Sequence, residues 1–422
     1  MTRFLAILST FSLLAIATLP AASAADWAQW RGPERTGHVA AGVPVPAALP
    51  ADPKVPWHIA VGGGFASPVV AAGKVIYLDD QGGSEVVHAT DVATGKELWQ
   101  EKVFASHRDG FGIGPRCTPL VDENRVFVQS TKGELQCRNV EDGKLLWRTN
   151  FADDFGAIFH GEKGSAQGGS RHGNTGSPVI DGEHVIVQVG SPKGAGLVCF
   201  QKATGEVVWK SQDDVAAYAA PIVATLAGTR QVISFTVEGL IGLDAENGKL
   251  LWRVPFKTAW GRHASTPVVV DDLVVVGSHQ IGLVGTRVAK EAGGWKATSA
   301  WTNKAAAVNF TSPVAVGHHL YGLGPSRKVF CVDLKTGEVV WEKSGWVRSS
   351  GDRAHASFLV MQSNILLLND SGELILFAAN PQEAKVISRV QVSGSNWCNP
   401  AYADGRLFLR DENELRCIEL MK

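Results

Sequence analysis

Polar and aromatic side chains recur just ahead of a dipeptide that is repeated along the chain, usually Ser, Thr or Asn followed by Pro. Each lies three or four residues before the second residue of that dipeptide. The set is Phe65, Arg116, Asn174, Tyr218, His263, Asn309, His355, Asn396 and Trp397. Guanidinium groups pair with carboxylates, amides and imidazoles form hydrogen bonds, and aromatic rings offer stacking surfaces. These residue types predict an anionic ligand, with one alternative: side chains that fill the space with one another and with water.

A long glycine-rich segment, residues 151–175, ends at one of these candidate positions. It carries His160, Arg171 and His172. Glycine lets the backbone approach a ligand closely, and an arginine can pair with a carboxylate. The segment could therefore lie over the ligand as a lid. His160 and His172, taken with Glu162, lack the fixed ligand spacing of a zinc site, so no metal is predicted.

Three further segments bring arginine and histidine together: 107–109, 260–263 and 348–355. Arg353, in the last of them, joins the candidate ligand-binding set. This clustering suits an anion such as a carboxylate-rich quinone or an acidic sugar. Unchanged binding after replacement of Arg116 or Arg353 by Ala would remove the support for this hypothesis.

The chain lacks the short motifs of several common enzyme classes. It contains no G-x-S-x-G, no His-Glu-x-x-His and no glycine-rich phosphate loop that opens a helix. The formal net charge is −1 over 422 residues, and no basic patch with interleaved aromatic residues is present. Nucleic acid is therefore not a predicted partner.

The repeated dipeptide marks the start of a structural unit. It is followed each time by an apolar run, a turn and another β-rich run, and successive copies lie roughly 42 to 59 residues apart. The eight starts are Ser67-Pro68, Thr118-Pro119, Ser177-Pro178, Ala220-Pro221, Thr266-Pro267, Ser312-Pro313, the degenerate Ser357-Phe358, and Asn399-Pro400. This spacing is typical of four-stranded propeller blades.

A second sequence motif lies at the end of most units. It consists of a small residue, several polar residues, Gly, and Trp four residues after the Gly. The clearest copy runs from Ala89 through Gly95 to Trp99. It predicts a strand, a tight turn and an outer strand whose indole packs between blades over the glycine turn. We assign this structural role, rather than ligand stacking, to Trp57, Trp99, Trp147, Trp209, Trp252 and Trp341.

The last unit lacks its outer strand, because the chain ends soon after residue 420. A matching strand is available near the N-terminus, around Trp57. Pairing the two would remove an open sheet edge and join both ends of the chain. The sequence therefore predicts an all-β fold, an eight-bladed β-propeller of four-stranded antiparallel blades, with the ring closed by the strand around Trp57.

Six cysteines do not predict a disulfide framework. Cys137, Cys199, Cys331 and Cys417 occupy the same position in different units, which places them too far apart to bond. They are interpreted as small buried residues. The sequence has no Cys-x-x-Cys, so thiol-redox chemistry and structural zinc are not indicated.

The first 24 residues have the pattern of an export signal. Arg3 precedes an apolar run, and a small-residue cleavage site follows it directly. The predicted organisation is a signal peptide at 1–24, an N-terminal extension at 25–53 and the propeller at 54–422. The expected location is the periplasm or the exterior of a bacterial cell, with no transmembrane segment after signal cleavage.

The phrase around Trp99 resembles the tryptophan-docking motif of quinoprotein (PQQ) propellers. Length, blade number and export resemble the propeller subunit of the outer-membrane β-barrel assembly machinery. Residues 26–33, Asp-Trp-Ala-Gln-Trp-Arg-Gly-Pro, resemble the opening of exported PQQ-binding-like repeat proteins of planctomycete-type bacteria. The resemblance covers nearly the whole mature chain and implies the fold more strongly than the activity.

Two functions from different classes follow. The first is an exported, non-catalytic binding or scaffold propeller, a monomer that recognises a protein, a glycan or a small anionic ligand at its channel mouth, with no cofactor. The second is a PQQ- and calcium-dependent alcohol or sugar dehydrogenase. The vicinal cysteine pair that many such enzymes carry is absent, and no local motif matches their calcium ligands or catalytic Asp. A polysaccharide hydrolase would need a carboxylate pair that the sequence does not single out.

Overall fold

The described part of the chain is almost entirely β-structure. The computed structural model describes residues 26–349 and 354–421. The predicted signal peptide lies outside these ranges. The described helices are α1 (Phe151–Phe155), α2 (Gly169–His172) and the 3-10 turn Ala259–Gly261. No helix among the described residues is long and apolar enough to cross a membrane.

The strands form eight antiparallel sheets of four strands, and these sheets are the blades of a propeller. The predicted fold is confirmed. Blades 1 to 4 contain β2 (Val69–Ala71), β3 (Lys74–Gln81), β4 (Ser84–Asp91), β5 (Glu97–Ala105); β6 (Leu120–Asp122), β7 (Arg125–Gln129), β8 (Glu134–Asn139), β9 (Leu145–Asn150); β10 (Val179–Asp181), β11 (His184–Ser191), β12 (Ala195–Gln201), β13 (Val207–Ser211); and β14 (Ile222–Leu226), β15 (Thr229–Phe235), β16 (Gly239–Asp244), β17 (Leu250–Pro255).

Blades 5 to 8 follow the same order, and the last blade takes its fourth strand from the N-terminus. They contain β18 (Val268–Val270), β19 (Leu273–Ser278), β20 (Gly282–Glu291), β21 (Gly294–Asn303); β22 (Val314–Val316), β23 (His319–Leu323), β24 (Val329–Asp333), β25 (Val339–Lys343); β26 (Ala356–Met361), β27 (Asn364–Asn369), β28 (Glu373–Ala378), β29 (Val386–Gln391); and β30 (Ala401–Ala403), β31 (Arg406–Arg410), β32 (Glu414–Glu419) with β1 (Trp57–Ala60).

The ring closes through β1, as the sequence predicted. This strand pairs antiparallel with β32, with Trp57 opposite Cys417 and Ala60 opposite Glu414. The pairing supplies the outer strand of blade 8 and covers the edge that β32 would otherwise expose. Residues near both ends of the chain therefore share one sheet.

The first strand of each blade lies nearest the channel, where first strands of neighbouring blades contact one another. The repeated dipeptide has a structural task at this position. The Thr118 backbone N–H donates to the Ser177 hydroxyl at 2.9 Å, and the Asn399 N–H donates to the Ser67 hydroxyl at 2.9 Å. Serine or threonine before proline thus joins adjacent blades by hydrogen bonds around the channel.

Six outer-strand tryptophans dock onto the next blade. In each, the indole N–H donates to a main-chain carbonyl of that blade, at 2.8 to 3.2 Å. They are Trp57, Trp99, Trp147, Trp209, Trp301 and Trp341. The turn beneath Trp99 requires glycine, because Gly143 has φ 72° and a Cβ there would lie 2.7 Å from the Trp99 ring.

Trp252 departs from the predicted inter-blade docking. Its indole N–H donates at 2.7 Å to the Gln231 side-chain oxygen, within its own blade. Blade 5 has no glycine turn at the docking position, because β20 and β21 form a long hairpin there instead. The indole consequently finds its hydrogen-bond partner in the same sheet.

The six cysteines are buried and unbonded, and burial was predicted for four of them, Cys137, Cys199, Cys331 and Cys417. Four of them lie directly opposite a tryptophan of the adjacent strand, as Cys137 lies opposite Trp147. A small side chain is needed at this position because the indole covers it. Where glycine takes that place, at Gly242, a Cβ would lie 2.2 Å from the Trp252 ring.

The N-terminal extension runs through the propeller's channel. Trp27 exchanges backbone hydrogen bonds with Val70 of β2 at 2.8 and 3.0 Å, and Val39 donates to Val360 of β26 at 2.9 Å. Between these points the chain contacts first-strand residues of several other blades. Residues 27–39 therefore occupy the channel interior.

Candidate functional site

A cavity of about 370 Å³ opens at the mouth of the channel. It lies among the loops that lead from the outer strand of one blade to the first strand of the next. Its walls are mostly aromatic, with arginines at several points around them. The aromatic lining consists of Trp30, Phe65, Phe111, Tyr218, Trp260, Phe310 and Trp397. A concave, largely apolar site with a few polar groups is typical of a ligand-binding pocket.

The aromatic rings on one side of the cavity form a contiguous wall. Trp397 lies 5.7 Å from Phe310 and 6.2 Å from both Phe65 and Phe111, measured between ring centroids. Phe111 comes from the loop after β5, yet its ring is 6.0 Å from Phe310, which precedes β22. The loop that carries Phe111 therefore reaches across part of the mouth.

Three arginines lie against aromatic rings of the lining. The guanidinium carbon of Arg171 is 4.2 Å from the centroid of the Trp260 ring, and Arg262 is 5.6 Å from Phe310. Arg116 lies 5.4 Å from Phe65. A guanidinium stacked on a ring is held in a fixed plane, and that geometry suits bidentate recognition of a carboxylate or sulfonate.

Asp109 joins two neighbouring loops at the mouth, the one after β5 and the one after β9. Its carboxylate accepts hydrogen bonds from Arg116 at 2.7 Å, from His172 at 2.8 Å and from the Phe111 backbone N–H at 2.9 Å. Burial alone would raise the pKa of Asp109. The bonds from His172 and Arg116 outweigh it, and they hold the pKa well below its usual range.

The described residues around the cavity include more basic than acidic side chains. Three arginines, Arg116, Arg171 and Arg262, line it together with one described carboxylate, Glu162, and Asp109 pairs with Arg116. Burial lowers the pKa of His355 to about 4, so its imidazole is neutral at neutral pH. The cavity is thus suited to a group with a flat apolar part and a negative charge.

The structure brings together seven of the predicted residues at this cavity. They are Phe65, Arg116, Arg171, His172, Tyr218, His355 and Trp397. Burial raises the pKa of Tyr218, and its buried hydroxyl has no hydrogen-bond partner among the described residues. Ligand binding by these seven residues stays a prediction.

The other predicted residues lie elsewhere. His263 is fully buried with its ring stacked 4.1 Å from that of Phe235, and Asn396 accepts the Cys398 N–H at 2.6 Å. Asn309 is buried behind the lining, and Asn174 is half-buried beside the Thr131 carbonyl at 3.4 Å. His160 is exposed and does not line the cavity. Arg353 lies outside the described residues.

Several lining residues were missed by the sequence analysis. Phe310 follows the predicted Asn309, so the repeat located the right loop but not the inward-facing position, whereas Arg262 belongs to the arginine–histidine segment 260–263 that the sequence did single out. Phe111 follows the 107–109 segment in the same loop. Trp30 had no periodic signal, because it belongs to no blade; its sole mark was the tryptophan-rich stretch at 26–33.

The dehydrogenase alternative requires a calcium ion at this cavity. Calcium takes six to eight oxygen ligands, usually including several carboxylates. Of the lining residues that the structure describes, only Glu162 carries a carboxylate, and Asp109 is engaged by Arg116 and His172. Within 26–349 and 354–421 no three His, Cys, Asp or Glu side chains form a metal-binding group. These residues do not fit a calcium-assisted quinone site.

The buried carboxyl group of Glu85 should make the stability of the protein depend on pH. Burial raises its pKa to about 7, despite hydrogen bonds from Thr131. Because the pKa is about 4.3 in the unfolded chain, the folded state binds the extra proton between these values. The free energy of unfolding should therefore fall as pH rises from about 4.3 to 7.

Glu85→Gln should remove this part of the slope and raise stability at about pH 8 by up to about 3–4 kcal/mol. Urea unfolding followed by circular dichroism across this pH range measures it. Glu246→Gln, at an exposed turn residue, is the matched control. An unchanged slope in Glu85→Gln would show that this carboxyl is not the protonated group.

Comparison of the sequence with a protein family and with individual proteins leads to the same family. Residues 83–343 match the family described as "Outer membrane protein assembly factor BamB". The protein of that name from Shewanella oneidensis is 22% identical over 382 residues, 85% of this chain and 86% of the relative. The one from Burkholderia pseudomallei is 26% identical over 204 residues, 47% of this chain and 45% of the relative.

Solved structures show the same fold. The crystal structure of BamB from Moraxella catarrhalis superposes with a TM-score of 0.61 at 15% identity, covering 87% of this chain and 100% of that one. Quinohemoprotein alcohol dehydrogenase from Comamonas testosteroni gives 0.51 at 14% identity, covering 93% and 80%. At these identities the likeness is one of fold, and the site must supply the functional argument.

Proposed function

We propose that this chain, which belongs to the family of the outer membrane protein assembly factor BamB, is an exported, non-catalytic scaffold that binds a partner protein at its channel mouth. The family's name describes a factor that assists the assembly of outer membrane proteins. That supports a protein as the partner and the periplasmic side of the outer membrane as the location. A monomer with no cofactor is part of the same proposal.

The observation that carries the proposal is the arginine-bearing aromatic cavity at the mouth. Arg171 and Arg262 lie on aromatic faces, and the wall around Trp397 is continuous. The cavity is large enough for a side chain or a small group but much smaller than a protein–protein interface. We infer that an acidic group of the partner enters it while the surrounding loops make the wider contact.

A protein is favoured over a glycan by the polarity of the lining. A sugar presents many hydroxyl groups, which need donors and acceptors on the protein. The lining offers few acceptors, chiefly Glu162, Thr175 and Asn399, among many aromatic rings. An acidic group attached to an apolar or aromatic body matches this surface better.

The dehydrogenase alternative has one supporting feature, since a planar quinone with carboxylates would match flat rings and arginines. A dehydrogenase of this kind also needs a base and a metal ion beside the substrate, and the donor set does not fit them. Addition of PQQ and Ca²⁺ to the purified protein, followed by dye reduction with alcohols, tests it. Activity would overturn the non-catalytic part of the proposal.

The anion site is tested with anilinonaphthalene sulfonate, a flat aromatic anion whose fluorescence rises on binding. Arg171→Ala and Arg262→Ala should each weaken its binding about tenfold, because each removes one charge-assisted contact of about 1.5 kcal/mol. Arg389→Ala is the matched control: Arg389 lies 5.5 Å from the Trp346 ring and does not line the cavity. Equal affinities in all three variants would contradict an anion site here.

The protein partner is tested by photo-crosslinking in the cell envelope. Trp260, which is 45% exposed at the mouth, is replaced by a photoreactive amino acid, and Leu98, 49% exposed on an outer strand, serves as the control position. We expect one protein adduct from position 260 that disappears when Arg171→Ala is added. A glycan adduct, or a protein adduct indifferent to Arg171, would overturn the proposal.

A further inference from the structure

The N-terminal extension does more than occupy the channel, because it contacts nearly the whole ring from inside. Besides β2 and β26, it reaches Val121 of β6, whose N–H donates to the Ala28 carbonyl at 2.8 Å. His38 pairs with the Ala315 carbonyl of β22 at 2.8 Å, and the Tyr402 hydroxyl of β30 donates to Pro44 at 2.7 Å. These contacts fix the segment at the centre of the ring.

Trp30 is the residue of this segment that faces the cavity. It lines the cavity, and its indole N–H donates to the Thr266 hydroxyl at 2.9 Å. Tight turns hold it there: the Gly32 N–H donates to the Gln29 carbonyl at 3.1 Å, and Gly32 has φ 82°. A Cβ on Gly32 would lie 2.8 Å from the Trp27 ring, so glycine is required beside this buried tryptophan.

Two buried arginines, Arg31 and Arg35, follow Trp30 in the sequence. Arg31 donates to the Pro313 carbonyl at 2.5 Å, and Arg35 donates to the Pro178 carbonyl at 2.7 Å. Among the described residues neither has a carboxylate partner. Burial lowers the pKa of Arg31 to about 10 and that of Arg35 to about 9, so both stay charged at neutral pH. Their charge adds to the attraction of the cavity for an anion.

We infer that residues 27–39 close the channel and that Trp30 is the floor of the cavity and contacts the bound group. The inference rests on the proposed function. A cavity closed at one end admits a single group end-on, and no chain can thread through the ring. The ligand class is therefore a carboxylate on a residue-sized body, from either an acidic side chain or a chain terminus.

Fluorine NMR of protein labelled with fluorotryptophan tests the contact directly. The Trp30 signal, assigned from Trp30→Phe, should shift on addition of anilinonaphthalene sulfonate, whereas the Trp27 signal, assigned from Trp27→Phe, should not. Trp27 lies in the same segment but does not line the cavity. A bound dye that leaves the Trp30 signal unmoved would overturn the assignment of the floor.

Trp30→Ala should weaken binding of the same dye about tenfold, through loss of one aromatic contact. Trp209→Phe, at a buried tryptophan of β13 that does not line the cavity, is the matched control and should keep the wild-type affinity. If the arginine variants lower the affinity and Trp30→Ala does not, the inference fails while the proposed function stands. If the wild-type protein binds no dye, the anion site itself fails.

Competition against the dye separates the two sources of the carboxylate. Three alanine peptides are compared: one with a free C-terminus, one amidated, and one amidated with a central Glu. Displacement by the free C-terminus alone indicates a chain end, and displacement by the Glu peptide indicates an acidic side chain. The amidated alanine peptide should not compete. If the amidated alanine peptide displaced the dye as well as the other peptides do, the requirement for a carboxylate would be overturned.

Discussion

Replacing Trp57 by Ala should lower the free energy of unfolding by about 3–5 kcal/mol, the cost of deleting a large buried aromatic side chain. The indole is 7% exposed, and its N–H donates to the Val92 carbonyl of blade 1 at 3.2 Å. The ring also covers Gly95, where a Cβ would lie 2.7 Å from it. Trp57 thus joins the last blade to the first.

Urea unfolding by circular dichroism gives the stability, and hydrogen exchange locates the damage. Trp252→Ala is the control, because this tryptophan is equally buried but donates within its own blade. Both variants should lose stability. Faster exchange across β1 and β32 should occur in Trp57→Ala alone. Unchanged exchange there would contradict the role of Trp57 in closing the ring.

Asp109→Ala should cost about 3–5 kcal/mol, because it leaves a buried arginine without its partner. The Asp109 side chain is fully buried, and that of Arg116 is 8% exposed. The change also releases His172 and the Phe111 backbone from a shared acceptor. The loop after β5 and helix α2 should therefore show faster hydrogen exchange, and dye binding at the mouth should weaken.

The pairing of Asp109 should also make stability depend on pH, and the direction of that dependence follows from its pKa. The folded-state pKa of Asp109 is depressed, so its contribution to stability is present above the unfolded value of about 3.9. It is lost as the pH falls below that value toward the folded-state pKa. Asp109→Ala should remove this acid-sensitive component from the unfolding curves.

Asp214→Asn is the matched control for the mouth. Asp214 is a buried carboxylate that pairs with Arg253 at 2.6 and 2.7 Å, and it does not line the cavity. It should lower stability while leaving dye affinity unchanged. If Asp109→Ala also left dye affinity unchanged, Asp109 would stabilise the fold without shaping the site.

The fold followed from the sequence because a propeller repeats local patterns. Turn glycines such as Gly95, tryptophans such as Trp99 and the Ser-Pro starts each report on contacts within one blade or with the next. Such contacts recur at a fixed spacing and are visible along the chain. Trp252 deviated because the docking partner depends on the following blade, where the hairpin of β20 and β21 replaces the turn.

The candidate site followed from the sequence in part. Alignment of the repeats located the loops at the mouth, and Arg116, Tyr218, His355 and Trp397 do line the cavity. The alignment was wrong by one residue at Asn309, because the next residue, Phe310, is the one that lines the cavity. A strand has a fixed side-chain alternation, but a loop does not, so repeat spacing cannot fix which neighbour points into the cavity.

What the sequence by itself determined is the ring: eight blades, their interlocking tryptophans and the closing strand at Trp57. What tertiary structure alone decided is the interior, where residues 27–39 enter the channel and Trp30 becomes the cavity floor. The physical reason is repetition of the contacts. The contacts of the ring, including those of the closing strand, recur from blade to blade, whereas Trp30 meets Thr266 once, across 236 residues of chain, and no periodic pattern records that pairing.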